Sequence, residues 1–113
     1  MRLSTHVLDT AAGRPVGGVV VILSQESSDG WQAIGHGVTD ADGRCTTLLG
    51  DRELERANYK LRFEVAPYFS KQSITIGSLY PYVEIVFSVA NVSQHYHIPL
   101  LIAANGYTTY RGS

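Results

Sequence analysis

"HYHIPLLIAANGYTTYR", residues 95–111, decides how the rest of the chain is read. Side chains alternate between the two faces of an extended segment. His95, His97, Pro99 and Leu101 therefore fall on one face, and Tyr96, Ile98 and Leu100 on the other. The second set is apolar and suits a core, which sends the histidines outward or into an interface. Ala104-Asn105 ahead of Gly106 supplies turn chemistry, and residues 106–111 return as a second strand with Thr108 and Tyr110 on a shared face.

The same period-two reading works outward from this pair. "LSTHVLD" (3–9) places Leu3, Thr5, Val7 and Asp9 on one side and Ser4, His6 and Leu8 on the other. "ANYKLRFEVA" (57–66) aligns Tyr59, Leu61, Phe63 and Val65. "VGGVVVILSQ" (16–25) is β-branched and nearly continuous, which predicts a strand buried on both faces in its middle. "WQAIGHGVT" (31–39) reads as a strand weakened by two glycines, "DADG" (40–43) as a hairpin turn, and "RCTTLL" (44–49) as a short strand after it. "PYVEIVFSV" (81–89) is a further strand. "PYFSKQS" (67–73) opens on proline and predicts a helix of about two turns. Seven or eight strands at close spacing, with turn residues between them and one short helix, predict an all-β, two-sheet sandwich formed by a single domain over residues 1–113.

Composition narrows the function classes. Hydrophobic residues make up 44% of the 113 and charged residues 17%, so the chain folds around one core. A formal net charge of −1 provides no basic field for nucleic acid or an anionic membrane. No run approaches the roughly 18 apolar residues of a membrane span. The opening residues enter a strand pattern without the apolar stretch of a signal peptide, and Cys45 is the only cysteine; both point to a reducing, cytoplasmic setting.

Several groups could carry chemistry. His95-x-His97 on a strand, with His6 and an acid, could make a metal site; the same histidines could act as neutral bases near pH 7; or they could be solvated surface groups. Asp40 and Asp42 suggest a calcium loop, but the glycine comes too early and no glutamate closes it. Arg44 is either a solvated charge or a fixed cation for an anionic substrate. Cys45, in an alternating segment, is most simply a small core residue. No nucleophile elbow, phosphate loop or dinucleotide fingerprint occurs.

Three stretches together, "LSTHVLDTAAGRPVGGVVVIL", "TDADGRC" and "HYHIPLLIAANGYTTYRGS", resemble the 5-hydroxyisourate hydrolases, the transthyretin-like enzymes of urate breakdown, along nearly the whole chain. The ending Tyr110-Arg111-Gly112-Ser113 is the most specific element, since transthyretin hormone carriers lack it. The chain departs from the family's Ser-Pro-aromatic turn, having Ala103 to Asn105 there. The resemblance implies a homotetramer with active sites at the dimer–dimer interface, and hydrolytic ring opening of 5-hydroxyisourate to 2-oxo-4-hydroxy-4-carboxy-5-ureidoimidazoline with no metal or organic cofactor. It also implies His6, Arg44, His97 and Ser113 as catalytic residues, and Thr108, Tyr110, Arg111 and Gly112 as substrate-binding ones. On the same basis His95 is expected nearer the edge and non-catalytic, and His36 in a loop or exposed strand. A hormone or small-ligand carrier, a metal-dependent hydrolase and a structural sandwich module are the competing readings.

Overall fold

The computed structural model describes residues 2–72 and 79–113. Among these residues nine strands and one helix follow in the order β1 (Leu3–Asp9), β2 (Arg14–Pro15), β3 (Val20–Ser27), β4 (Gly30–Val38), β5 (Arg44–Cys45), β6 (Ala57–Glu64), α1 (Ala66–Gln72), β7 (Val83–Val89), β8 (Tyr96–Ala103) and β9 (Gly106–Thr109). They form two sheets. One runs β2-β1-β8-β9, with β5 also paired to β1; the other runs β4-β3-β6-β7. The all-β sandwich with one short helix is thus as expected. The strand the sequence pattern does not resolve is β2, only two residues long. The helix starts one residue before the predicted start, and Ser73 at its predicted end lies outside the described residues.

The core lies between the sheets and is built from the faces that alternation assigns. Tyr59, Leu61, Phe63 and Val65 are buried from the second sheet, and Leu3, Val7, Tyr96, Ile98 and Leu100 from the first. Each such side chain contributes about 1.5–3 kcal/mol when fully removed from water. β1 and β8 run parallel, pairing Leu3 with Tyr96 through Asp9 with Ile102. The β8–β9 hairpin closes through Ala103 opposite Gly106, so Ala104-Asn105 is the two-residue turn.

Three expectations need correction. β3 is covered on its outer face only in part: Val21 and Leu23 are fully enclosed and Ser24 is buried, but Ile22 is only half-buried and Val20 is 40% exposed. Its apolar run mimics a doubly covered strand, yet Val20 on the outer face stays open among the described residues. The "DADG" turn forms, with the Asp40 carboxylate accepting from the Asp42 and Arg44 N–H groups at 2.9 Å, but it does not make a hairpin. It carries the chain from β4 in one sheet to β5 on β1 in the other. Gly43 permits the crossing: its φ is +77°, and a Cβ there would lie 2.4 Å from the Val7 carbonyl oxygen. The predicted strand at 44–49 shrinks to Arg44–Cys45 because the next residues settle onto β4; a Cβ on Gly35 would meet the Leu48 carbonyl oxygen at 2.0 Å.

Asp9 fastens the end of β1. Its carboxylate accepts from the Ala11 and Ala12 N–H groups at 2.9 Å and from the Tyr68 hydroxyl of α1. Burial alone would raise its pKa; those hydrogen bonds, with Arg14 nearby, outweigh burial and hold it below the usual carboxylate value.

Candidate active site

β1 lies between β5 and β8, and its register assembles the polar groups. On one side His6 pairs with Arg44. On the other, Ser4 pairs with His97 and His6 with Pro99. Thr5, Val7, Cys45 and Ile98 take the inward positions, so Ser4, His6, Arg44 and His97 share the face of the sheet turned away from the core.

Two recesses adjoin there. One, of about 230 Å³, is bounded by Ser4, Arg44, Thr46, His95, His97 and Ser113. The other, of about 350 Å³, is bounded by His6, Leu8, Pro15, Asp42 and Arg44. Arg44 borders both, and among the described residues no carboxylate forms an ion pair with it. The guanidinium is therefore available to an anionic ligand.

The histidine hydrogen bonds restrict where protons sit. His6 Nε2 is 2.8 Å from the Asp42 carbonyl oxygen; a carbonyl only accepts, so Nε2 carries the proton and Nδ1 of the neutral ring is a lone pair. His97 Nδ1 is 2.8 Å from the Ser4 hydroxyl oxygen, which is also 3.3 Å from His95 Nε2. Partial burial, then Arg44, His6 and His95 in turn, push the His97 pKa below the ordinary imidazole value, against a smaller opposing contribution from the Ser4 backbone. His97 is therefore neutral at pH 7, able to accept a proton.

The tail completes the first recess. The Gly112 N–H donates to the His97 carbonyl at 2.8 Å, in an isolated bridge beyond β9. A Cβ on Gly112 would lie 2.4 Å from His97 Cδ2, so only glycine leaves the imidazole where it is. Ser113 follows directly and lines the recess.

The structure thus gathers His6, Arg44, His97, Gly112 and Ser113 on one face. Of the other three expected residues, Thr108 shares that face at a distance, and Tyr110 and Arg111 lie elsewhere in the protomer. Thr108 lies opposite Leu101, four residues along β8 from His97 and so about 13 Å away. Tyr110 lines a separate recess with Ile85, Phe87, Tyr96 and Ile98, and the Arg111 guanidinium stacks over the Tyr96 ring at 4.5 Å while donating to Gln94 Oε1 at 3.0 Å. Alternation misplaces Tyr110 because the ladder stops at Thr109, whose hydroxyl donates to the Pro99 carbonyl. His95 is exposed at the head of β8, as expected, but it also joins the recess. His36 lies in exposed strand β4. Ser4 and Thr46 were not anticipated. Alternation puts Ser4 on the face of His6; its contact with His97 depends on a parallel pairing between the two ends of the chain. Among the described residues no three histidine, cysteine or acidic side chains converge as metal ligands, and no helix is long and apolar enough to cross a membrane.

Comparison with known proteins places this site in context. The 5-hydroxyisourate hydrolase of Mus musculus is 41% identical over 113 residues, spanning 98% of this chain and 94% of its own. The structure of Klebsiella pneumoniae 5-hydroxyisourate hydrolase superposes with a TM-score of 0.83 at 35% identity, covering 98% of this chain and 97% of that one. Sea bream transthyretin in complex with thyroxine superposes with a TM-score of 0.89 at 31% identity, over 99% and 95% of the two chains. The HIUase/Transthyretin family model matches residues 3–112. From sequence and fold together, this chain belongs to the HIUase/Transthyretin family.

Proposed function

We propose that the chain is a single hydrolase domain that opens the six-membered ring of 5-hydroxyisourate, yielding 2-oxo-4-hydroxy-4-carboxy-5-ureidoimidazoline in cytoplasmic urate (purine) degradation. The observation that carries this reading is His97, whose pKa is held below the ordinary imidazole value by burial and then Arg44, in one recess with that arginine, which has no described ion pair. Amide hydrolysis needs those two functions: a base for water and a fixed positive charge for the oxyanion.

In this mechanism Arg44 binds the acidic purine derivative and then the oxyanion that forms when water adds to the carbonyl beside the ring nitrogen. His97 takes the water proton, because its depressed pKa keeps it unprotonated. His6, across Arg44 and donating from Nε2 to the Asp42 carbonyl, orients water or substrate from the adjoining recess. The Ser113 hydroxyl positions substrate, and Gly112 keeps His97 aligned. Arg111 acts through its stacking on Tyr96, which anchors the tail. Thr108 and Tyr110 approach substrate only in an assembled oligomer. No metal or organic cofactor takes part.

The assembly we infer is a homotetramer with the site at the dimer–dimer interface. β7 and β9 end their sheets on the same side of the sandwich, around the recess that Tyr110 lines, and open strand edges favour pairing with another copy. The catalytic face then meets its counterpart across the second interface, and no nucleic acid or membrane is involved. A thyroxine-type carrier is the second reading, supported by the sea bream likeness. A charged and histidine-bearing recess disfavours it, because an apolar ligand would have to desolvate Arg44.

The deciding experiment generates 5-hydroxyisourate with urate oxidase and follows its decay. Acceleration by this chain, retained with chelator and lost in His97→Ala and Arg44→Ala, is the expected result. Decay at the spontaneous rate refutes the reading, and loss of activity on chelation refutes its metal-free form.

A further inference from the structure

Resting on the hydrolysis reading, we propose that Ser4 is a positioning residue: its hydroxyl fixes the tautomer of His97 and links that ring to His95 at the solvent edge. Ser4 is buried, 6% exposed, with its oxygen 2.8 Å from His97 Nδ1 and 3.3 Å from His95 Nε2. A hydroxyl has one proton, so it can donate to only one of the two rings. If it donates to His97, that ring carries its own proton on Nε2 and cannot act as a base there. If it donates to His95, His97 donates Nδ1–H to Ser4 and keeps Nε2 as a lone pair. Only the second arrangement gives a base at Nε2.

Charge placement favours the same direction. Arg44 from β5, His6 from β1 and His95 from the head of β8 all disfavour an imidazolium at His97. Through Ser4 that imidazolium need not form. As water gives its proton to His97 Nε2 and its oxygen bonds to the carbonyl carbon, the Nδ1 proton passes to Ser4 Oγ and the Ser4 proton to His95 Nε2. His97 stays neutral, now protonated at Nε2, and the positive charge appears on His95, which is exposed to water. When the carbon–nitrogen bond breaks, the leaving nitrogen takes the Nε2 proton. The reverse shift along His95, Ser4 and His97 Nδ1 restores the starting state.

The test uses the full chain with 15N-labelled histidine. Wild-type His97 is expected to show a protonated Nδ1 and an unprotonated Nε2; Ser4→Ala loses that signature and Ser4→Thr retains it. Ser4→Ala lowers kcat about 10–100-fold with little change in KM, and Ser4→Thr recovers most of the loss. His95→Phe produces a similar loss, and the double variant with Ser4→Ala is no worse than either alone. A wild-type His97 protonated at Nε2, a tautomer indifferent to Ser4→Ala, or multiplying losses in the double variant overturns the proposal. A wild-type chain inert toward 5-hydroxyisourate sinks the functional reading instead, while the tautomer comparison still decides what Ser4 does.

Discussion

Replacing Gly112 with alanine adds one methyl group at the point where the tail crosses His97. That carbon would lie 2.4 Å from His97 Cδ2, and 3.2 Å from both His97 Cγ and Pro99 Cγ. The shortest of these contacts is about 1 Å inside ordinary van der Waals distance. The tail cannot simply back away, because the Gly112 N–H is held to the His97 carbonyl at 2.8 Å. Pro99, buried in the sheet, blocks the other side. The imidazole must therefore swing by about 1 Å, pulling against its bond to Ser4. Displacing a reacting group that far costs about 100-fold in rate, so kcat for 5-hydroxyisourate should fall by that order. Gly112 is not part of the buried core cluster, so unfolding free energy should change by less than about 1 kcal/mol. Progress curves in the urate oxidase-coupled assay, beside a thermal melt, separate the two effects. Turnover within about threefold of wild type in a folded Gly112→Ala protein refutes either the packing argument or the role of His97.

Arg44→Gln removes one of the groups that depress the His97 pKa, so that pKa should rise toward about 6.5; a base is active only when unprotonated, and the acid limb of the kcat/KM profile should move to higher pH. An acid limb that stays put or moves down contradicts this. The same variant should lose about 100–1000-fold in kcat if Arg44 holds the oxyanion. Gly43→Ala forces a side chain into a left-handed backbone position and against the Val7 carbonyl; denaturant titration should show a loss of about 2–4 kcal/mol. Deleting Arg111 to Ser113 should abolish hydrolysis and leave the circular dichroism of the sandwich intact, since regular strand pairing ends at Thr109; an active truncated chain disproves the role given to the tail.

Much of this architecture is local and therefore visible in the residues. The inward sets Tyr59, Leu61, Phe63 and Tyr96, Ile98, Leu100 are assigned by period two and are buried as expected. Ala104-Asn105 ahead of Gly106 is a real turn, and His6 and His97 do face away from the core. The errors arise where pattern is ambiguous. An apolar run such as residues 19–23 looks the same whether one or both faces are covered, because coverage belongs to the neighbouring layer. "DADG" specifies a tight turn but not which strand the chain joins afterwards. Tyr110 is misplaced because alternation holds only while the ladder continues, and a single side-chain hydrogen bond from Thr109 coincides with its end.

Sequence alone determined the sandwich and its core faces, since alternation and turn chemistry act over a few neighbouring positions; the expected polar set came from the resemblance to the family. Only tertiary structure decided which of those residues meet. Ser4 touches His97 and His95 across more than 90 residues of chain, through a parallel register that no local pattern encodes. Arg44 reaches the site by leaving one sheet for the other, and Gly112 matters because of the ring it passes. A catalytic constellation depends on distances between strands, and those are set by how the two sheets close around the core.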